Sequence, residues 1–209
     1  HISEASLDYD RKFRKTRNYV RAMGEYLVVF EVEYNQIDSQ NQFEAILTEL
    51  KKESIKNYGE VFLKSRNLFK EKNYKFWISL HHYYDGIKSI LSKCDKNGKL
   101  YIVTGKDRES SIDLLSQIDI EINLDRIFHM NTSVNKLDSL KKIAIIEGVD
   151  HNKIHFIDDN VTHLKDPQME GFTVALGDWG YALPEHIDIA KKYKMPVISL
   201  SEVLDFMSL

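Results

Sequence analysis

Glu31 and Glu33 stand one residue apart at the end of an apolar run, Tyr26-Leu27-Val28-Val29-Phe30. Read as a strand, that run sends both side chains out on the same side, because strand residues alternate faces. Two carboxylates held together repel until a cation or a shared proton relieves them. Hard oxygen ligands suit Mg²⁺. Three more groups of chemical interest follow. Thr104-Gly105 closes the apolar run Leu100 to Val103, Lys136 opens a periodic apolar segment, and Asp158-Asp159 closes the run Ile154 to Ile157. Carboxylates with a metal, a hydroxyl and a cation are the parts that grip and transfer a phosphoryl group. Taken singly, each has a plainer reading. The glutamates could be a solvated strand end, Thr104-Gly105 a turn, Lys136 a surface lysine, and the aspartates a helix cap.

The elements needed to position these groups are visible as periodicity. Leu100–Val103, Arg126–His129, Ile154–Ile157, Phe172–Leu176 and Pro196–Leu200 read as short strands. Between them lie helical patterns, one near Ile112, Leu114 and Leu115, another with Leu137, Leu140, Ile143 and Ile146 on one face. Alternating βα units predict a parallel sheet with helices on both faces. Ligands of such sheets bind beyond the carboxyl ends of the strands, where Glu31, Glu33, Thr104, Asp158 and Asp159 are expected. Residues 38 to 82 show helical spacing and no strand pattern. Residues 1–19 are polar and basic and read as a solvated helix or strap. His81-His82 reads as a polar helix face or hinge, and Cys94 as a small packing residue.

Composition narrows the partners. The chain has 209 residues, 43% hydrophobic and 29% charged, which is ordinary globular usage. A net charge of −3 gives no basic field for nucleic acid or an anionic membrane. No apolar stretch is long enough to span a bilayer, and the first twenty residues lack the apolar segment of a leader. The single cysteine excludes an internal disulfide, so a reducing cytoplasm is expected.

The ordered set resembles the haloacid dehalogenase superfamily from about Tyr26 onward. The segments carrying the likeness are Glu31-Val32-Glu33, Tyr84 to Ile87, Leu100 to Lys106, Asn135 to Leu140 and Ile154 to Asn160. Gly171 to Ala175 and Trp179-Gly180-Tyr181 resemble the family's closing strand and loop. The resemblance implies a three-layer, Rossmann-like α/β core formed by residues 20–37 and 83–209. It also implies a small helical cap, residues 38–82, inserted after the first strand. Glu31 matches the family's nucleophile and Glu33 its general acid/base, both aspartate in the family. Thr104, with Gly105, matches the phosphate-binding hydroxyl region, and Lys136 the cation that stabilises transferred charge. Glu31, Glu33, Asp159 and Asp158 match the Mg²⁺ site.

The implied reaction is Mg²⁺-dependent phosphoryl transfer from a small phosphorylated molecule. The two glutamates depart from the pattern. Each adds a methylene, moving the carboxylate outward by about 1.5 Å. A misplacement of about 1 Å costs in-line chemistry roughly a hundredfold, whereas metal binding tolerates a longer ligand. The alternative is therefore a catalytically impaired relative kept as a ligand- or protein-binding module.

Overall fold

The computed structural model describes residues 4–31, 37–129 and 135–207. They fall into two compact units, one ending at Leu80 and one beginning at His81. Among the described residues no helix is long and apolar enough to cross a membrane.

The described part of the first unit is helical: α1 (Glu4–Thr16), a 3-10 turn Met23–Leu27, α2 (Val28–Glu31), α3 (Gln40–Glu49), α4 (Lys52–Lys72) and α5 (Tyr74–Ser79). Ser39 caps α3 by accepting the Gln42 N–H at 3.2 Å, the side-chain service helix starts need. The expected strand Tyr26–Phe30 is not formed; the 3-10 turn and α2 occupy its place. Packing explains the difference. The Tyr26 ring stacks on Phe13 at 4.6 Å and faces Phe62 at 5.7 Å, while Val28 and Val29 are buried. Contacts from α1 and α4 thus override a β preference that depends on context. Gly24 crosses α4 so closely that a Cβ there would lie 2.3 Å from the Ile55 carbonyl oxygen.

The second unit alternates helices and strands. Its helices are α6 (Ile87–Cys94), α7 (Arg108–Ser116), α8 (Lys136–Glu147), α9 (Lys165–Met169), α10 (Pro184–Lys192) and α11 (Val203–Phe206). Its strands are β1 (Ile102–Val103), β2 (Ile127–Phe128), β3 (His155–Asp158), β4 (Thr173–Gly177) and β5 (Val197–Ile198). All pairings are parallel, β1 with β2 in one sheet and β3-β4-β5 in another. His81 and His82 lie in an irregular stretch before α6, not on a helix.

Alternation along the strands shows why this is a layered α/β fold. Phe156, Val174 and Leu176 join Leu140, Ile143 and Ala144 of α8 and Ala190 of α10 in one core. The intervening Ile157 and Ala175 pack on the opposite face with Ile198, Val203 and Phe206. The sheet is therefore buried on both sides, as parallel sheets are. This is the expected Rossmann-like α/β architecture. Phe128 of β2 shares the first core, with Val103 of β1 packed against it. Both sheets thus rest on one hydrophobic layer.

Candidate active site

Asp158 is the last residue of β3 and is 8% exposed. Three donors hold its carboxylate. Lys136 Nζ donates to Oδ2, the Asn160 N–H to Oδ1 at 2.9 Å, and His163 Nδ1 to Oδ1 at 3.2 Å. Burial opposes ionisation. The His163 hydrogen bond and the charges of Lys136 and His163 outweigh it, holding the carboxyl at about 2.

Local sequence builds this cluster. Asn135 caps α8 by accepting the Asp138 N–H at 2.8 Å, which makes Lys136 the first residue of that helix. Beyond β3, Asn160 accepts the Thr162 N–H at 3.0 Å and the Thr162 hydroxyl at 2.7 Å. That polar turn starts the 3-10 segment Val161–His163 and returns the imidazole to Asp158.

Asp159 has the opposite environment. Its Oδ2 accepts the Tyr181 N–H at 3.1 Å. Burial, and then the charge on Asp158, push its pKa up. The Tyr181 loop approaches so closely that a Cβ on Gly180 would sit 2.1 Å from Asp159 Oδ2 and 2.4 Å from its Cβ. Glycine is required there by the close approach. His186 on α10 is fully buried, its Nδ1 accepting the Leu183 N–H at 3.2 Å. Burial lowers its pKa, while the charges of Glu185 and Asp159 oppose that shift.

Thr104 directly follows β1, and its N–H donates to the Phe128 carbonyl at 2.9 Å, extending the ladder. Its Oγ1 accepts the Lys106 N–H at 3.1 Å. Gly105 is exposed, and a Cβ there would meet nothing within 4 Å. The turn thus leaves its backbone open.

The family profile described as haloacid dehalogenase-like hydrolase matches residues 15–176. The chain belongs to the haloacid dehalogenase-like hydrolase family. No curated protein and no solved structure matches it.

In this haloacid dehalogenase-like hydrolase, Lys136, Asp158 and Asp159 lie together at the end of β3 and the start of α8. Thr104 and Gly105 follow the end of β1 in the neighbouring sheet of the same unit. Glu31 lies in the first unit, exposed, at the end of α2 rather than of a strand. Glu33 lies outside the described residues. Sequence reasoning missed His163. The available signal was a histidine five residues after a strand-end aspartate, with an Asn-x-Thr turn between. It also missed Gly180 as the residue whose missing side chain admits the Asp159 carboxylate.

Among the described residues, no group of three or more His, Cys, Asp or Glu side chains could hold a metal ion. Asp158 is committed to three donors, whereas the charge of Asp159 is disfavoured by burial and by its neighbour.

Proposed function

We propose that this hydrolase cleaves a phosphate ester of a small molecule with the help of Mg²⁺. The observation that carries the reading is the Lys136–Asp158 pair, its acid buried, beside Asp159 at a strand's carboxyl end. Asp158 stays ionised and fixes the ammonium, while Lys136 keeps a partly exposed side chain to meet phosphoryl oxygens. The Thr104 hydroxyl and the open backbone at Gly105 supply further donors. Asp159 would hold Mg²⁺. Bound there, the metal would offset charge on the phosphoryl group. Glu31 is the nucleophile on this reading, and Glu33 its partner acid/base.

Residues 38–82 then serve as the substrate-selecting cap, and residues 20–37 and 83–209 as the core. A closing cap excludes water and adds specificity. A single buried thiol, Cys94, accords with work in the cytoplasm. One observation favours a second reading, a ligand-binding relative without turnover: Glu31 ends a helix, not the strand that in-line attack would use.

Hydrolysis of p-nitrophenyl phosphate with Mg²⁺ separates the two. The phosphatase reading expects turnover in the wild type and its loss in Lys136→Ala and Glu31→Ala. Activity that appears only in a Glu31→Asp/Glu33→Asp variant would establish the binding relative instead. Calorimetric titration with Mg²⁺ should show binding that Asp159→Asn weakens at least tenfold. No binding in the wild type would remove the metal from the mechanism.

A further inference from the structure

The second unit contains a cavity of about 270 Å³ that shares no lining residue with the candidate active site. It reaches from Lys99 and Lys153, which precede β1 and β3, to Val103 and Phe156 within those strands. Leu140 and Ile143 of α8 and Phe156 of β3 are buried and give it an apolar wall. Two strand edges also open on it. In the described sheets β1 pairs with β2 alone and β3 with β4 alone. The Thr104 N–H donates to the Phe128 carbonyl, and the Thr173 N–H to the Ile154 carbonyl. Backbone groups alternate sides along a parallel strand, so those of Val103 and His155 face away from β2 and β4. Both residues line the cavity.

The charges at the cavity are unbalanced. Glu147 is its acid, and Oε1 of that side chain already accepts the Tyr101 hydroxyl at 2.5 Å. Among the described residues neither Lys99 nor Lys153 has an acid partner. Two lysines against one glutamate leave a lining charge of +1, with His155 counted neutral. Size sets the other limit. At about 30 Å³ for each water in the liquid, the space equals about nine waters. It is larger than an apolar cavity that takes benzene and slightly below the range for drug-sized ligands. A small molecule fits it, and a folded partner does not.

We propose that this cavity binds a small amphiphilic carboxylate, its hydrocarbon body against Leu140, Ile143 and Phe156 and its anionic head held by Lys99 and Lys153. The open backbone of Val103 and His155 supplies further donors. The site is independent of the phosphate-ester reading.

Methyl ¹³C NMR of the full chain, titrated with octanoate, tests it. The Leu140 and Ile143 methyl signals should move with a Kd of about 1 mM or tighter. Octan-1-ol should bind more weakly, and octylammonium more weakly still. In a Lys99→Ala/Lys153→Ala variant octanoate should lose about tenfold in affinity while octan-1-ol stays within about twofold, a split that damage to the fold would not produce. Ile143→Phe fills the cavity and should block both ligands. Octanoate that leaves both methyl signals unmoved removes the site. Equal binding of octanoate and octylammonium, or wild-type octanoate affinity in the double lysine variant, refutes the carboxylate. Undiminished octanoate binding in a folded Ile143→Phe places the ligand elsewhere and overturns the proposal. Far-UV circular dichroism checks each variant's fold. The exposed lysine pair decides the matter should Ile143→Phe not fold.

Discussion

Replacing Asp158 with asparagine keeps the shape of the side chain and removes its charge. The depression of its pKa from 3.8 to about 2 corresponds to about 2 kcal/mol of folding stability, at about 1.4 kcal/mol per unit. The group is buried, so solvent screening scarcely reduces that figure. A carboxyl whose folded pKa is depressed stabilises above its unfolded value. That stability is lost as pH falls through the folded value. The penalty of Asp158→Asn should therefore be about 2 kcal/mol at pH 7 and unchanged at pH 5. By pH 3 it should have dropped to roughly half. Relief of Asp159, whose ionisation the Asp158 charge opposes, makes the pH 7 figure an upper value. Equilibrium urea unfolding measures it. The fluorescence of Trp179, isolated by Trp77→Phe, reports the second unit alone. A difference between wild type and Asp158→Asn that is the same at pH 7 and pH 3 would refute the electrostatic account and leave only a packing effect.

Three further outcomes follow from the geometry. Gly180→Ala forces a Cβ into the Asp159 carboxylate, so it should weaken Mg²⁺ binding in calorimetry by tenfold or more; unchanged affinity would separate Asp159 from the metal. Gly24→Ala places a methyl 2.3 Å from the Ile55 carbonyl oxygen, and the backbone must move. The expected loss is about 1–3 kcal/mol in urea unfolding followed at Trp77, and a neutral result would show that the 3-10 turn does not cross α4 this closely. Tyr101 donates to Glu147 Oε1 at 2.5 Å; burial first, then that bond and the Glu147 charge, push its pKa up to about 12. A raised folded value stabilises below the ordinary 10 and is lost as pH climbs towards 12, so Tyr101→Phe should flatten the alkaline limb of the stability curve. Ultraviolet titration of the tyrosinate should lose one late-titrating group in the same variant.

The strands of the second unit were legible because burial on both faces leaves short apolar runs between helical patterns. Ile154–Ile157 and Phe172–Leu176 are such runs, and β3 and β4 occupy them with shifts of a residue. Tyr26–Phe30 looked the same and is not a strand. A five-residue apolar run has no period long enough to separate a buried strand from a helix. Here the deciding contacts come from Phe13 and Phe62, on other helices. Lys136, Asp158 and Asp159 could be found as a set because each opens or closes an element. The partners that give them their chemistry were less visible. The Tyr181 N–H lies 22 residues beyond Asp159, and only the fold brings it back. His163 was closer to legible, since an Asn-x-Thr turn after a strand-end acid returns the chain within five residues.

The adjacent carboxylates show why the site divides its labour. Asp158 closes β3 and Asp159 follows it directly. One meets a lysine, a histidine and a backbone N–H; the other meets the Tyr181 backbone N–H. Burial works against the charge of both, but only Asp158 has cations enough to overcome it, so its pKa falls while that of Asp159 rises. Neighbouring acids whose environments drive their pKa values apart take different roles. Asp158 is a permanent anion that orients Lys136 and His163. Asp159 is the acid whose ionisation burial and its neighbour oppose. A variant exchanging Lys136 for methionine should narrow the gap from the lower side: Asp158 loses its strongest cation and its pKa rises. ¹³C NMR of the two carboxyl groups should show the Asp158 signal titrating at higher pH than in wild type. An unmoved Asp158 would mean that His163 and the Asn160 N–H suffice to hold it, and that Lys136 is oriented by something other than this acid.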